Sequence, residues 1–110
     1  MYSCRMSPTT RLRMNSRPIT AATASRLAPA FACLADATRL RLFDLVRRSG
    51  PGGICSCDLT EPLDRSQPTV SHHLKVLREA GLVEARRDGN WVWYSVSPET
   101  IATMERFLRG

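Results

Sequence analysis

The spacing of apolar residues predicts two amphipathic helices in the first half of the chain. Leu27, Phe31 and Leu34 recur at helical intervals and define one apolar face. Pro29 lies within this stretch, and we expect it in or near the first turn of the helix, where its missing N–H costs least. Asp36 is a suitable N-cap for the second helix. The apolar residues of that helix are Leu40, Leu42, Phe43, Leu45 and Val46.

The middle of the chain predicts two further helices joined by a tight turn. Leu59 and Leu63 lie four residues apart on one face of a short helix, and a turn follows at Asp64. Ser66 is a suitable N-cap for the next helix, and Pro68 fits its first turn. The apolar face of this helix consists of Val70, Leu74 and Leu77.

The helical period then gives way to alternation. Residues 82–96, LVEARRDGNWVWYSV, predict two strands around an Asp88-Gly89 turn. Ser97 or Pro98 opens a last helix, whose apolar face carries Ile101, Met104 and Leu108. Two helices joined by a turn and followed by a hairpin predict a mainly α protein with a small β-hairpin, in the winged helix-turn-helix order.

Composition and charge divide the chain into a basic arm and one globular domain. The chain has 110 residues, of which 43% are hydrophobic, and this is enough for one modest core. Residues 1–26 contain five arginines and no acidic residue, whereas residues 27–110 contain 11 basic and 10 acidic residues. Residues 1–22 lack periodicity and are rich in Ser, Thr, Arg and Pro. We therefore predict a flexible basic arm over residues 1–22 and a domain over residues 23–110.

The hydropathy pattern predicts neither a membrane span nor a secretory signal. No apolar run approaches the length of a membrane span, and the N-terminal stretch lacks the apolar region of a secretory signal. We expect a cytoplasmic protein with no membrane partner. In that compartment cysteines are more often thiols or metal ligands than structural disulfides.

The fourth predicted helix and the hairpin carry side chains suited to DNA. Short hydroxyl, amide and basic side chains near a helix N-terminus can reach base edges and phosphates, and arginines before a hairpin tip can reach the DNA backbone or minor groove. The predicted DNA-contacting residues are Ser66, Gln67, Thr69, Ser71, His72, Lys75, Arg86 and Arg87. Each taken alone is equally consistent with an exposed polar surface.

The cysteines suggest soft-ligand chemistry. Cys55 and Cys57 are separated by one residue, and the chain has no Cys-x-x-Cys pair and no His-rich cluster. Residues i and i+2 of a regular α-helix point about 200° apart. Both thiols can therefore bind one ion only where the helix has not formed or is unwound, which would disturb the DNA-reading pair. A helix N-terminus also lowers the pKa of nearby thiols.

Four segments, LADATRLRLFDLV, CSCDL, SQPTVSHHLKVLREAGLV and RRDGNWVWYSV, resemble the ArsR/SmtB family of metal- and metalloid-responsive repressors. The resemblance runs from about residue 27 to the end of the chain. It implies a homodimer formed through the first and last helices, which binds an inverted-repeat operator in double-stranded DNA. It also implies a repressor that needs no cofactor to bind DNA, rather than an enzyme. From the residues alone, these two amphipathic helices either cover the core or pack against a second copy.

The resemblance is closest to the arsenic-responsive branch, where C-x-C-D-L is the inducer site. Cys55 and Cys57 match that site, which implies release from DNA by As(III) or Sb(III). Thr60 stands where that branch often has a third cysteine, so Cys4 or a small cellular thiol is a candidate third ligand. Cys33 is better suited to a buried apolar role.

Two alternatives keep the DNA binding and change the signal. A repressor that senses Cd(II) or Pb(II) would also use Cys4, and a redox switch would oxidise the cysteines. A thiol oxidoreductase or metal carrier is disfavoured, because the sequence has neither a Cys-x-x-Cys redox pair nor a positioned general base.

Overall fold

The computed structural model describes residues 17–110, which form five α-helices and a three-stranded antiparallel sheet. The helices and strands, in chain order, are α1 (Ala21–Cys33), α2 (Ala37–Arg48), β1 (Ile54–Cys55), α3 (Thr60–Leu63), α4 (Gln67–Glu79), β2 (Val83–Asp88), β3 (Trp91–Val96) and α5 (Pro98–Arg109). A 3-10 turn, Ser56–Asp58, connects β1 to α3. The predicted mainly α, winged helix-turn-helix order is confirmed.

Helix α1 begins earlier than its proline suggested. The Thr20 side chain caps the helix by accepting a hydrogen bond from the Thr23 N–H, at 3.1 Å. Pro29 therefore lies in the helix interior, and the prediction that it occupies the first turn is wrong. The proline removes the N–H that would bond the carbonyl of Ser25, but Ser25 is exposed and water can replace the donor. A capping side chain outweighs the proline in setting where this helix starts.

The start of α1 at Ala21 places the predicted boundary between residues 22 and 23 inside its first turn. Residues 1–16 of the predicted arm lie outside the described residues. The division into arm and domain stays a prediction.

The caps of the later helices follow the sequence. Asp36, Ser66 and Ser97 each accept a hydrogen bond from the backbone N–H three residues ahead, at the starts of α2, α4 and α5. Helix α3 is only four residues long and ends at Asp64, which adopts a left-handed φ of 55°. The chain can therefore turn sharply from α3 into α4, as the helix-turn-helix order requires.

The predicted hairpin is present, with two differences. Asp88 pairs with Trp91, so the loop residues are Gly89 and Asn90 rather than Asp88 and Gly89. Gly89 has a φ of 63°, which suits the first loop residue of a tight hairpin. The second difference is β1, which pairs with β3 and makes β3 the central strand. The sequence did not predict β1, because a strand of two residues has no period to detect.

The core lies between the helices and the inner face of the sheet. Helix α4 packs against α1, α2 and the 3-10 turn. The largest side chains with no exposed surface are Leu42, Val46, Leu59, Leu63, Val70, Leu74, Leu77 and Leu82. The α4 face predicted from the sequence is therefore confirmed in full.

Other predicted apolar faces are only partly buried. Leu40 is 51% exposed on α2, and Leu108 is 69% exposed on α5, although both belong to apolar helix faces in the sequence. Phe31 and Phe107 pack edge to face with ring centroids 5.9 Å apart, and they join α1 to α5. Apolar surface thus remains on the outer side of these helices.

None of the helices described over residues 17–110 is long and apolar enough to cross a bilayer.

Gly53 controls how closely β1 approaches β3. Its φ is 83°, and a Cβ added there would lie 2.8 Å from the backbone carbonyl oxygen of Tyr94. We expect Gly53→Ala to lower the free energy of unfolding by roughly 2 kcal/mol, because left-handed strain and the clash act together. Urea denaturation at one fixed protein concentration measures this change.

Gly52→Ala is the matched control for this prediction. A Cβ at Gly52 has no neighbour within 4 Å, and its φ lies outside the left-handed region. The control is expected to change stability by less than about 0.5 kcal/mol. Equal stabilities of the two variants would contradict the role assigned to Gly53.

Candidate nucleic-acid interface and thiol site

Helix α4 presents its polar face outward because its apolar face is fixed in the core. Val70, Leu74 and Leu77 have no exposed surface, which fixes the rotation of the helix about its own axis. The residues predicted to contact DNA that are exposed are Ser66, Gln67, Ser71, His72, Lys75, Arg86 and Arg87, and Thr69 is half-buried. These eight residues fall into two groups. Ser66 is the N-cap of α4 and five more lie on that helix, whereas the two arginines lie on β2.

The N-terminus of α4 is held by a local hydroxyl pair. The Ser66 hydroxyl accepts from the Thr69 N–H at 3.4 Å and donates to the Thr69 hydroxyl at 3.0 Å. Both hydroxyls therefore serve the cap. The positive end of the helix dipole is exposed at this point, which suits an approaching phosphate.

Gln67 is engaged within the protein. Its Nε2 donates to the Ser56 hydroxyl at 3.0 Å and to the Ser71 hydroxyl at 3.3 Å. An amide nitrogen has two hydrogens, so both are used. A glutamine that reads adenine needs one of these donors together with its carbonyl oxygen. Gln67 is thus placed to hold the helix end against the segment that contains the cysteines.

The two wing arginines point to opposite faces of the sheet, because neighbouring residues of a strand alternate. Arg86 lies opposite Trp93, and its Nη2 donates to the carbonyl oxygen of Gly52 at 3.4 Å. This bond ties the wing to the loop that precedes β1. Arg87 is exposed on the other face, so the two arginines do not form one contact surface.

The adjacent histidines of α4 differ in environment. His72 is exposed, whereas His73 is half-buried, and its Nδ1 has no hydrogen-bond partner in the described part of the chain. Burial lowers the pKa of His73, although the nearby Asp36 carboxylate acts in the opposite direction. His73 is therefore neutral at neutral pH, and His72 is the histidine presented outward.

The thiols of Cys55 and Cys57 converge. Cys55 ends β1 with an extended backbone and is 6% exposed, whereas Cys57 lies in the 3-10 turn and is exposed. Their Sγ atoms are 2.7 Å apart. Two sulfurs bound to one soft ion at about 2.3 Å each are separated by at most about 4.6 Å. The backbone is already non-helical here, so no helix must unwind for both thiols to reach one ion.

The acidity of Cys57 differs from the expectation for a helix N-terminus. The hydrogen bond to the Cys55 thiol is the main cause that raises the pKa of Cys57, and desolvation and Asp58 act in the same direction. The expected lowering is wrong for Cys57, because the Cys55 thiol rather than a helix N-terminus has the largest effect on its pKa. The Cys57 thiol is protonated at neutral pH.

Strand pairing links the thiols to the wing. Cys55 lies opposite Trp93 in the β1–β3 register, and Trp93 lies opposite Arg86 in the β2–β3 register. Side chains directly opposite in an antiparallel sheet share a face and lie about 5 Å apart at Cβ. Cys55, Trp93 and Arg86 thus form one row across the sheet. The sequence gives no sign of this row, because β1 is recognisable only through its partner.

The site has two thiols and no third ligand among the described residues. No group of three His, Cys, Asp or Glu side chains within residues 17–110 is close enough to hold a metal ion. Thr60 donates through its hydroxyl to the Cys57 carbonyl at 3.3 Å, and Cys33 is buried in the core as the sequence indicated. Cys4 lies outside the described residues.

Comparison with known proteins agrees with this architecture. Residues 36–85 match the family model described as bacterial regulatory protein, arsR family. The chain is 46% identical over 80 residues to the arsenic resistance transcriptional regulator ArsR1 of Pseudomonas putida, a match that covers 73% of this chain and 61% of the relative. It is 50% identical over 78 residues to the arsenical resistance operon repressor of Escherichia coli, covering 71% of this chain and 65% of the relative. The matched part is thus less than two thirds of each relative.

A solved structure shares the fold. The homodimeric winged helix-turn-helix DNA-binding domain from Mycobacterium bovis superposes with a TM-score of 0.66 at 28% identity, covering 81% of this chain and 80% of that one. Since the family model, the sequence relatives and the fold agree, the chain belongs to the ArsR family of bacterial regulatory proteins.

Proposed function

We propose that this protein is a homodimeric repressor of a metalloid-resistance operon, released from its operator when arsenite or antimonite binds Cys55 and Cys57. The observation that carries the proposal is the pair of sulfurs 2.7 Å apart, directly before the helix-turn-helix. Two similar proteins bear names that describe arsenic-resistance regulation. Trivalent arsenic and antimony prefer soft thiolate ligands, as do other soft ions.

Exposed polar side chains support operator binding in the ligand-free state. Helix α4 directs Ser71, His72 and Lys75 away from the core, and its capped N-terminus suits a phosphate. Two copies related by a two-fold axis would present two such helices to an inverted repeat. Since the proposed target is DNA, we also propose a cytoplasmic location.

The outer surfaces of α1 and α5 support the homodimer. Phe107 is 43% exposed, Leu108 is 69% exposed, and Ile19 beside α1 is 45% exposed. Ile19 and Phe107 line the same surface groove, and contiguous apolar surface of this kind marks an interface rather than a solvated face. The Mycobacterium bovis domain with the same fold is described as homodimeric.

Substitution of the thiols tests the release step. In the wild type, saturating arsenite is expected to raise the operator Kd by about 5- to 150-fold, the usual range of allosteric coupling. Cys55→Ser and Cys57→Ser should each bind the operator as tightly as the wild type does without arsenite, and should lose the arsenite effect. Gel shift with a duplex selected by the wild type from a random-sequence library measures both states.

Cys33→Ala is the control for this assay, and Cys4→Ser tests whether Cys4 is the third ligand. Cys33 is buried away from the thiol pair, so its substitution should leave the arsenite effect intact. A loss of the effect in Cys4→Ser would identify Cys4 as the third ligand. Release by peroxide in the absence of any metalloid would instead support a redox switch, and the absence of any specific shift would refute the repressor.

The pH dependence of binding distinguishes arsenite from a soft cation. Arsenite is a neutral trihydroxide, so each As–S bond forms as an As–O bond breaks, and the thiol proton leaves with the hydroxide as water. Each Cd–S bond instead releases a proton to solvent. The pKa of Cys57 is raised, so its thiol is protonated near pH 7. Cd(II) must therefore displace the proton of this thiol when it binds.

We therefore expect the Cd(II) affinity to rise about tenfold per pH unit for each proton displaced, over the range below the pKa of Cys57, while the arsenite affinity stays nearly constant. Equilibrium titration of the wild type in a series of buffers between about pH 6 and about pH 8 provides the comparison. Parallel pH slopes for the two ligands would contradict thiol exchange with a neutral hydroxide.

Disruption of the outer face of α5 tests the dimer. Leu108→Glu places a charge in the proposed interface and should shift the protein toward the monomer. Operator binding should weaken by more than about tenfold, because the two subunits of a dimer bind the two half-sites together. Leu40→Glu is the matched control, since Leu40 is 51% exposed on α2 and outside the proposed interface. Sedimentation velocity measures the mass, and a Leu108→Glu dimer would contradict the assignment.

A further inference from the structure

We infer that Gln67 is a positioning residue, and that its hydrogen bond to Ser56 transmits occupancy of the thiol pair to α4. This inference rests on the proposed function. It assigns to Gln67 a role different from base reading, and to Ser56 a role that neither the family match nor the relatives' names assign.

The contact joins the two parts of the molecule that the proposed function must couple. Ser56 is the residue between Cys55 and Cys57, and Gln67 is the first residue of α4. The distance from Gln67 Nε2 to Ser56 Oγ is 3.0 Å. Within residues 17–110, this is the side-chain hydrogen bond that connects the segment 54–58 to α4.

A second hydrogen bond of the same amide holds the Gln67 side chain against α4. Gln67 Nε2 also donates to Ser71 Oγ, one turn along α4, at 3.3 Å. The amide is thereby held against its own helix and cannot follow Ser56 without breaking one of the two bonds. A displacement of Ser56 must therefore either drag the N-terminal turn of α4 or lose the contact.

Ligand occupancy is expected to move Ser56. An ion held by both thiols closes a ring that contains the backbone of Ser56, so binding constrains the backbone torsion angles of Ser56. Cys55 is 6% exposed and paired with Trp93, whereas Cys57 is exposed. Any adjustment of the backbone therefore falls on Ser56 and Cys57 rather than on Cys55.

The hydrogen bond to Gln67 tolerates only a small shift of the Ser56 hydroxyl. A bond of 3.0 Å is effectively lost beyond about 3.5 Å, which leaves about 0.5 Å of slack. The rest of α4 is fixed by its buried face, so the change is confined to the N-terminal end of the helix. That end is the part of a recognition helix that approaches base edges.

The test is the ratio of operator Kd values with and without saturating arsenite, measured on the full chain by fluorescence anisotropy of a labelled selected duplex. Ser56→Ala is expected to reduce this ratio by about three- to tenfold, the equivalent of one lost hydrogen bond. The reduction should come from weaker binding without arsenite. The number of arsenic atoms bound per protein, measured by elemental analysis after gel filtration, should not change.

Three variants separate coupling from a general structural effect. Ser56→Thr keeps the hydroxyl and should retain the wild-type ratio. Ser71→Ala removes the other partner of Gln67 without touching the thiol segment. It frees the amide to follow Ser56, so the ratio should fall, but by less than in Ser56→Ala. Gln67→Ala should reduce the ratio as Ser56→Ala does, and the double variant should reduce it no further, since both changes remove one contact.

A wild-type ratio in Ser56→Ala overturns this inference while the proposed function stands. Additive effects of Ser56→Ala and Gln67→Ala on the ratio also overturn it, because they would show that the two side chains act separately. A wild type that does not respond to arsenite overturns the inference and the proposed function together.

Discussion

The burial of one face of α4 is the constraint on which the rest of the structure depends. Val70, Leu74 and Leu77 are completely enclosed, so the helix cannot rotate about its axis without exposing apolar surface. Its polar residues therefore face outward as a fixed set. What remains adjustable is the N-terminal end, where Ser66 caps the helix and Gln67 reaches the preceding segment. A signal from the thiols can act on DNA binding at this end without disturbing the core.

Strand β1 gives the thiol pair its position. Ile54 lies opposite Tyr94 and packs toward the core, while Cys55 lies opposite Trp93 on the other face of the sheet. The thiol segment is thus attached to the wing through Cys55 and to α4 through Ser56. Both DNA-facing elements of the proposed repressor meet the same short stretch of chain, which is why a small change at two sulfurs can alter how the domain meets DNA.

Sequence reasoning succeeded where the determining interaction is local. The starts of α2, α4 and α5 follow from Asp36, Ser66 and Ser97, because a cap bonds an N–H only three residues away. It failed where a distant or competing partner decides. Pro29 lies mid-helix because Thr20 caps α1 earlier. The pKa of Cys57 is raised rather than lowered because its thiol is hydrogen-bonded to the Cys55 thiol.

The sequence by itself determined the family resemblance, the apolar face of α4, the order of the helices and the hairpin, and the identity of the two thiols. Periodicity, caps and residue chemistry are local properties of the chain. Only the tertiary structure decided that β1 exists, that Cys55, Trp93 and Arg86 form one row, and that Gln67 donates to Ser56. The physical reason is that a strand of two residues and an amide with several available acceptors have no preferred arrangement of their own, so each takes the partner that packing of the core places beside it.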